Sequence, residues 1–351
     1  MIPFFNLEFT KEMEDAALEA SHNEKFVLGE SVFKFEEEFA KYIGVKHAVS
    51  VNSGNSALQL SLMALEISKN HNVVTSTNSF IASANCILSV GANPILCDIK
   101  QTDGNLDVST IKRKIDALIP VHIYGNPCDF EEIIEISEHT KAPIIEDACQ
   151  AHGAEYEGKK VGSIGKVGCF SFYPTKNMTV CGDGGMVTTN DEEIANKIKS
   201  LRDNGRKSQY EHDKLGFTMR LNTINAAIGR VQLRNLEMVN KRRREIAGIY
   251  RKRIVENCLL QENPKGKSVF HQIVICHNNR DKIIKHLDAN KIGTAIHYPT
   301  PIHKQPLYSN YNYCLPVSEK FANKILSLPS YPGLKDDEIK FVAEKVSDVL
   351  N

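Results

Sequence analysis

Short apolar runs alternate with amphipathic stretches over the first two thirds of the chain. Glu36–Tyr42 (EEEFAKY) has helical spacing, HAVSVNSG reads as a strand entering a turn, and ALQLSLMAL follows with helical spacing. The unit then recurs. NVVTS precedes FIASANCILSV, NPILCDI follows, and ALIPVHIYG precedes DFEEIIEISEHT; APIIEDA, CFSFY and GMVTTN then lead to EEIANKIKSL. Strands this apolar, separated by helices, predict a mostly parallel sheet covered by helices on both faces, an α/β fold.

After Arg220 the texture changes. INAAIGRVQLRNLEMVNKRRREIAGIYRKRIVE is one long helical pattern with a basic outer face. HQIVICHN, a helix DKIIKHLDANK and a strand IGTAIHY come next, which predicts a smaller C-terminal α+β domain. The boundary falls inside the long helix, giving residues 1–235 and 236–351.

Composition narrows the classes. Lys+Arg and Asp+Glu both number 43, so net charge is zero. That balance argues against a general nucleic-acid or anionic-membrane binder, and it makes Lys241-Arg242-Arg243-Arg244 a solvated helix face. No apolar run approaches a membrane span, and the N-terminus turns acidic too early for a secretory signal, so a soluble cytoplasmic protein is expected. Nine cysteines without a CxxC pair fit reduced, mostly buried thiols; no metal site is expected.

In open α/β sheets, ligands sit beyond the carboxyl ends of the strands. The polar residues there are Asp147 and Gln150 after PIIE, Ser171 within CFSFY, Lys176 just beyond it, and the Ser53-Gly54-Asn55-Ser56 turn; Phe80 opens a helix after TSTNS. Each alone has a plain reading: an N-cap for Asp147, a turn for Ser53–Ser56, core for Phe80, surface for Lys176. Together they match pyridoxal phosphate (PLP). That cofactor needs an amine for its aldehyde and a carboxylate for its pyridine nitrogen, with hydroxyls and a helix N-terminus for its phosphate and an aromatic plate for its ring.

The segment IEDACQAHGAEYEGKKVGSIGKVGCFSFYPTKNMTVCGDGGMV resembles the core of the DegT/StrS family of PLP-dependent nucleotide-sugar aminotransferases. FVLGESVFKFEEEFAKYIGVKHAVSVNSGNSALQLSL, IPVHIYGNPCD, RLNTINAAIGRVQL, IGTAIHYPTPIHKQP and LSLPSYPGL resemble its other blocks, so the likeness covers nearly the whole chain. The resemblance implies a PLP-dependent transferase of fold type I. It implies Lys176 as the Schiff-base lysine, Asp147 at the pyridinium nitrogen, Gln150 at the ring hydroxyl side and Phe80 stacked on the ring. Gly54, Asn55, Ser56 and Ser171 would hold the phosphate. It also implies a homodimer, with the partner chain's Arg220 and Asn222 approaching that phosphate, and L-glutamate as amino donor. His297, Tyr298, His303 and Lys304 would border the substrate. The FVLG segment leans toward C3 of a dTDP-linked ketosugar. Asn55 and Thr218 depart from the family's usual threonine and asparagine, and Asp183 stands where glutamate is usual.

Rival readings are a non-catalytic regulatory protein of the same family, a sugar dehydratase, a cysteine desulfurase and a nucleotide enzyme. Retention of both Lys176 and Asp147 argues against the first, and Lys176 against the second. Cys181 sits in the glycine turn rather than on a mobile loop, and no GxGxxG or P-loop opens a helix.

Overall fold

The computed structural model describes residues 1–111, 113–254 and 258–350. Its first strands are β1 (His47–Val51), β2 (Asn72–Ser76), β3 (Asn93–Cys97), β4 (Ala117–Ile119) and β5 (Ile145–Asp147). A small hairpin, β6 (Glu155–Tyr156) and β7 (Lys159–Lys160), precedes β8 (Val167–Ser171) and β9 (Gly185–Thr189). The strands β3-β2-β4 and β5-β8-β9-β1 form two ladders. Parallel bridges Leu118–Ile144 and Val121–Asp147 join them into one sheet. Within it only β9 runs antiparallel to its neighbours. The mostly parallel sheet expected from the apolar runs is present.

Helices α1 (Lys11–Asn23), α2 (Glu30–Ile43), α3 (Gly54–Ala64), α4 (Ala82–Ser89), α5 (Phe130–Thr140), α6 (Glu192–Leu201) and α7 (Thr223–Arg253) surround this sheet. Side-chain alternation along the strands feeds two cores. Cys169 and Val187 join Leu58, Ile194 and Ile198 on one face. Phe170 and Met186 join Phe35, Phe39 and Leu233 on the other. Helix starts follow local chemistry: Ser53, Asp129 and Asp191 each accept a backbone N–H at the head of α3, α5 and α6.

The long helix crosses between cores. Leu233 and Leu236 pack in the large one, whereas Ile246, Ala247 and Tyr250 pack with β11 (Ile273–Cys276) and β12 (Ile325–Leu328). Before these strands, β10 (Gly266–Lys267) pairs with β6. Helices α8 (Arg280–Ala289), α9 (Pro316–Ala322) and α10 (Asp336–Leu350) complete the C-terminal part. Ile2 also belongs to this second core, bridging Ile292, so the N-terminal tip reaches across to the C-terminal part. Two expectations need correction. IGTAIHY is not a regular strand: it makes two isolated bridges, Ile2–Ile292 and Ala295–Ser327, and the His297 carbonyl accepts from the Tyr124 hydroxyl instead of a ladder partner. The basic run is not wholly solvated either, because Arg243 is buried. Among the described residues the nine cysteines form no disulfide, and no helix is long and apolar enough to cross a membrane.

One buried carboxylate fixes the sheet where β5 ends. Glu146 Oε1 accepts from the backbone N–H groups of Ile164 (2.7 Å) and Gly165 (2.6 Å). Its Oε2 accepts from Gly162 N (2.7 Å) and His122 Nε2 (3.2 Å). Cys128 N–H donates to His122 Nδ1 at 3.0 Å, so the proton sits on Nε2 and the pairing needs no charged histidine. Glu146→Ala should strand these donors and lower unfolding stability by about 3–5 kcal/mol, measured by urea denaturation.

Candidate active site

A cleft of ≈ 390 Å³ opens at the carboxyl ends of β5 and β8. Its wall includes Gly54, Asn55, Phe80, Asp147, Gln150, Ser171, Lys176, His297 and Tyr298. These residues span more than two hundred positions of sequence, and the fold brings them to one place.

Asp147 is buried at the end of β5. Ser83 donates to its Oδ2 at 2.7 Å, and Cys149 N–H donates to Oδ1 at 3.2 Å. Ser79 bonds Ser83 at 2.7 Å and so orients it. Gln150 is fixed as well. Tyr124 N–H donates to its Oε1 (2.8 Å), which leaves Nε2 to donate to the Tyr298 hydroxyl at 3.2 Å.

Lys176 follows β8 and is half-buried. Burial lowers its pKa from the ordinary lysine value, and the Cys149 thiol and Asp147 oppose that shift. The neutral amine that nucleophilic chemistry needs is thereby brought closer to physiological pH. The next residue is locked: Asn177 Nδ2 donates to Asn240 Oδ1 and to the Val269 carbonyl, both at 3.0 Å.

The Ser53–Ser56 turn is shaped as an anion cradle. Ser53 accepts from Ser56 N–H at 3.1 Å, leaving the first free N–H groups of α3 at the cleft. A Cβ on Gly54 would lie 2.7 Å from Ser171 Cβ and 2.8 Å from Cys149 Sγ, so only glycine lets the turn approach them. A Cβ on Gly185 would lie 2.4 Å from the Ser53 carbonyl, which explains the glycine-rich entry to β9. Ser56 is near but turned away, donating to Asn52 Oδ1 at 2.6 Å. Phe80 is 57% exposed, an aromatic ring at the mouth whose centroid is 6.2 Å from that of Tyr298. A cradle of helix N–H groups and hydroxyls, a buried carboxylate, an amine and an uncovered aromatic face are the parts a PLP molecule requires, and they fit it.

Five anticipated residues lie off this wall, Ser56 among them. Arg220 pairs with Asp203 (2.6 Å), and Asn222 is the N-terminal residue flanking α7. His303 is buried between Thr77 Oγ1 (2.6 Å) and Glu319 (3.1 Å), and Lys304 pairs with Glu319 at 2.9 Å. Residues not anticipated are Ser83, His271 and Gln272 on the wall and Tyr124 behind Gln150. No local motif marks them, because each lies on a separate segment from Asp147 and Lys176.

Fold and site together define a PLP-dependent aminotransferase of fold type I. The match to the DegT/DnrJ/EryC1/StrS aminotransferase family model runs over residues 8–347, and the chain belongs to that family. It is 40% identical over 334 residues to a UDP-N-acetyl-3-dehydro-α-D-glucosamine 3-aminotransferase of Acidithiobacillus ferrooxidans, covering 93% of this chain and 90% of that one. It is 37% identical to a pleiotropic regulatory protein of Geobacillus stearothermophilus, covering 94% and 92%. Streptomyces venezuelae DesV, solved with a ketimine intermediate, superposes with a TM-score of 0.93 at 35% identity, covering 96% of this chain and 94% of that one.

Burial also keeps three histidines around Lys176 neutral. The pKa of His152 falls from 6.5 to about 3 and that of His297 to about 4; that of His271 falls well below its ordinary value. Desolvation is the main cause, and the Lys176 cation adds to it in each case. Unfolded histidines take up a proton near pH 6.5 that these refuse until far lower pH, so stability is full above 6.5 and falls with acidification. Unfolding midpoints should drop as pH is lowered from 6.5 toward 4, and His152→Gln should flatten that drop.

Proposed function

We infer that this protein transfers an amino group from an amino acid, L-glutamate, to C3 of a nucleotide-linked ketosugar. The observation that carries the reading is Asp147 and Lys176 facing one cleft, beside a helix N-terminus built for a phosphate. Relatives named for sugar amination support the substrate class, and the C3 position follows the 3-aminotransferase relative. The sugar carrier is a nucleoside diphosphate, with dTDP favoured by the FVLG segment.

When bound, PLP supplies a carbonyl that captures the donor amine and a protonated ring that stores the electron pair freed at the donor's α-carbon. Asp147 would hold the proton on the ring nitrogen, and Ser83 and Cys149 N–H keep its carboxylate aimed. Lys176 is the amine that anchors the cofactor. Its Nζ, when free, would remove the α-proton of the donor and return a proton on the same side of the cleft. Gln150 and Tyr298 would set the ring-hydroxyl side, Phe80 would cover the ring, and Gly54, Asn55 and Ser171 would hold the phosphate, which Ser56 would join only by turning from Asn52. His297 and Tyr298 border the substrate.

The working unit is a homodimer. Arg220 and Asn222 miss the cleft of their own chain, and exposed Phe26 and Val27 lie beside Asn222 through the Val27–Asn222 bridge. That apolar edge supports a second copy there, with Arg220 and Asn222 reaching its phosphate. A purely regulatory role fits less well, because the buried carboxylate and the shifted amine have no use in a sensor.

Incubation with L-glutamate and a panel of dTDP- and UDP-linked 3- and 4-ketosugars, followed by mass spectrometry, should yield a 3-amino sugar. Absence of any amino sugar, or a 4-amino product only, contradicts the assignment. Lys176→Ala should abolish turnover, and Asp147→Asn should lower kcat by about 10²–10³-fold, as when one preorganised electrostatic partner is removed.

A further inference from the structure

His303 shares the IHYPTPIHKQP block with His297 and Tyr298, yet it is buried away from the cleft. Its imidazole is gripped at both ends. Nδ1 lies 2.6 Å from Thr77 Oγ1, and Nε2 lies 3.1 Å from Glu319 Oε1 on α9. Burial lowers its pKa below the ordinary histidine value, against the opposing pull of Glu319. The neutral ring donates Nε2–H to the carboxylate, and Nδ1 accepts the Thr77 hydroxyl proton. Backbone bonds close the same joint. Ile302 N–H donates to Thr77 O (3.0 Å), His303 N–H to Thr77 Oγ1 (3.3 Å) and Thr77 N–H to Cys97 O (3.1 Å).

Thr77 begins the segment 77–80, which leaves β2 for α4 and ends on Phe80. The Phe80 ring stands at the cleft mouth, more than half exposed, without the packing that fixes a core ring. Its position is set by the backbone that carries it. One end of that backbone is tied to α4, where Ser83 N–H donates to Phe80 O at 3.1 Å; the other end is Thr77. Between them, Asn78 Nδ2 donates to Gly104 O at 3.1 Å. Ile302 packs with Ala84 and Leu96, so the turn that carries His303 also supports α4.

We propose that His303 is a positioning residue for the cofactor, holding the Phe80 ring in place through Thr77. The proposal rests on the aminotransferase reading, in which Phe80 covers the ring, and adds what keeps an exposed aromatic plate in one place. His303 and Thr77 lie off the cleft wall, and both imidazole nitrogens are engaged, so the histidine has no polar atom to offer a substrate. A plate that is already ordered costs little to stack on, whereas a mobile one must first be immobilised.

Titration of the apoprotein with PLP, followed by visible absorption and circular dichroism of the bound cofactor, reads this without turnover. Thr77→Val keeps the side-chain shape and removes the hydroxyl. It should raise the Kd for PLP at least about tenfold, the scale of one lost buried hydrogen bond, and weaken the induced circular dichroism. His303→Ala should do the same, whereas His303→Asn, whose Oδ1 still accepts from Thr77, should stay within about threefold of wild type. Glu319 also pairs with Lys304 at 2.9 Å and is partly exposed on α9. Glu319→Ala releases Nε2 without opening the core and should raise the Kd about threefold, which keeps the test available where the buried variants do not fold. In a Phe80→Ala background, Thr77→Val should add nothing, because the plate it positions is gone. Wild-type PLP affinity in every folded variant overturns the proposal. So does a full tenfold rise on top of Phe80→Ala, which would place the effect on another group. Failure of the aminotransferase reading shows separately, as wild-type protein that develops no visible band with PLP or transfers no amine from any amino acid.

Discussion

Two acidic residues in succession end the central strand β5, and strand geometry sends them to opposite faces. Glu146 faces the rear, where four donors from the Gly162–Gly165 turn and His122 saturate it. Asp147 faces the cleft. Because its neighbour cannot shift without breaking those bonds, the Asp147 backbone is held within narrow limits. The backbone bonds Asp147 N to Pro120 O (2.9 Å) and His122 N to Asp147 O (3.1 Å) tie it to the segment after β4 as well. A reactive ring gripped by this carboxylate would inherit that rigidity, which is the requirement for electrostatic stabilisation without reorganisation.

Lys176 meets the same requirement from the other side. It leaves β8 at the level where Ser171 faces the Ser53 turn, and Asn177 pins the following backbone to Asn240 on α7 and to Val269. Helix α7 therefore serves both cores: Asn240 and Arg243, one turn apart, hold the lysine segment and the 270–271 backbone. Around the amine, burial leaves His152, His271 and His297 uncharged.

The fold class, the sheet and the residues carried by continuous motifs were legible in the sequence. Asp147, Gln150, Ser171 and Lys176 lie within one block, and the Ser53–Ser56 turn and Phe80 open helices after strands, where α/β proteins bind ligands. What escaped has a physical reason. Ser83 reads as filler in FIASANCILSV, and only tertiary packing points it at Asp147. Arg243 hides in a run of four basic residues. Its spacing of three and four from Asn240 and Ala247 was the available signal, and net charge masked it. IGTAIHY has strand composition, but its last residues serve the cleft instead of a ladder, an instance of site demands overriding local propensity. His303 and Lys304 share a motif with His297 and Tyr298, yet Thr77 and Glu319 engage them away from the cleft.

The central claim is that a single amine, opposite Asp147, carries the cofactor. Borohydride reduction of the protein as purified with PLP, followed by proteolysis and peptide mass spectrometry, reads this directly. The account predicts one pyridoxyl group, on the peptide containing Lys176. A label on a different lysine, or none on a protein that binds PLP, would contradict it.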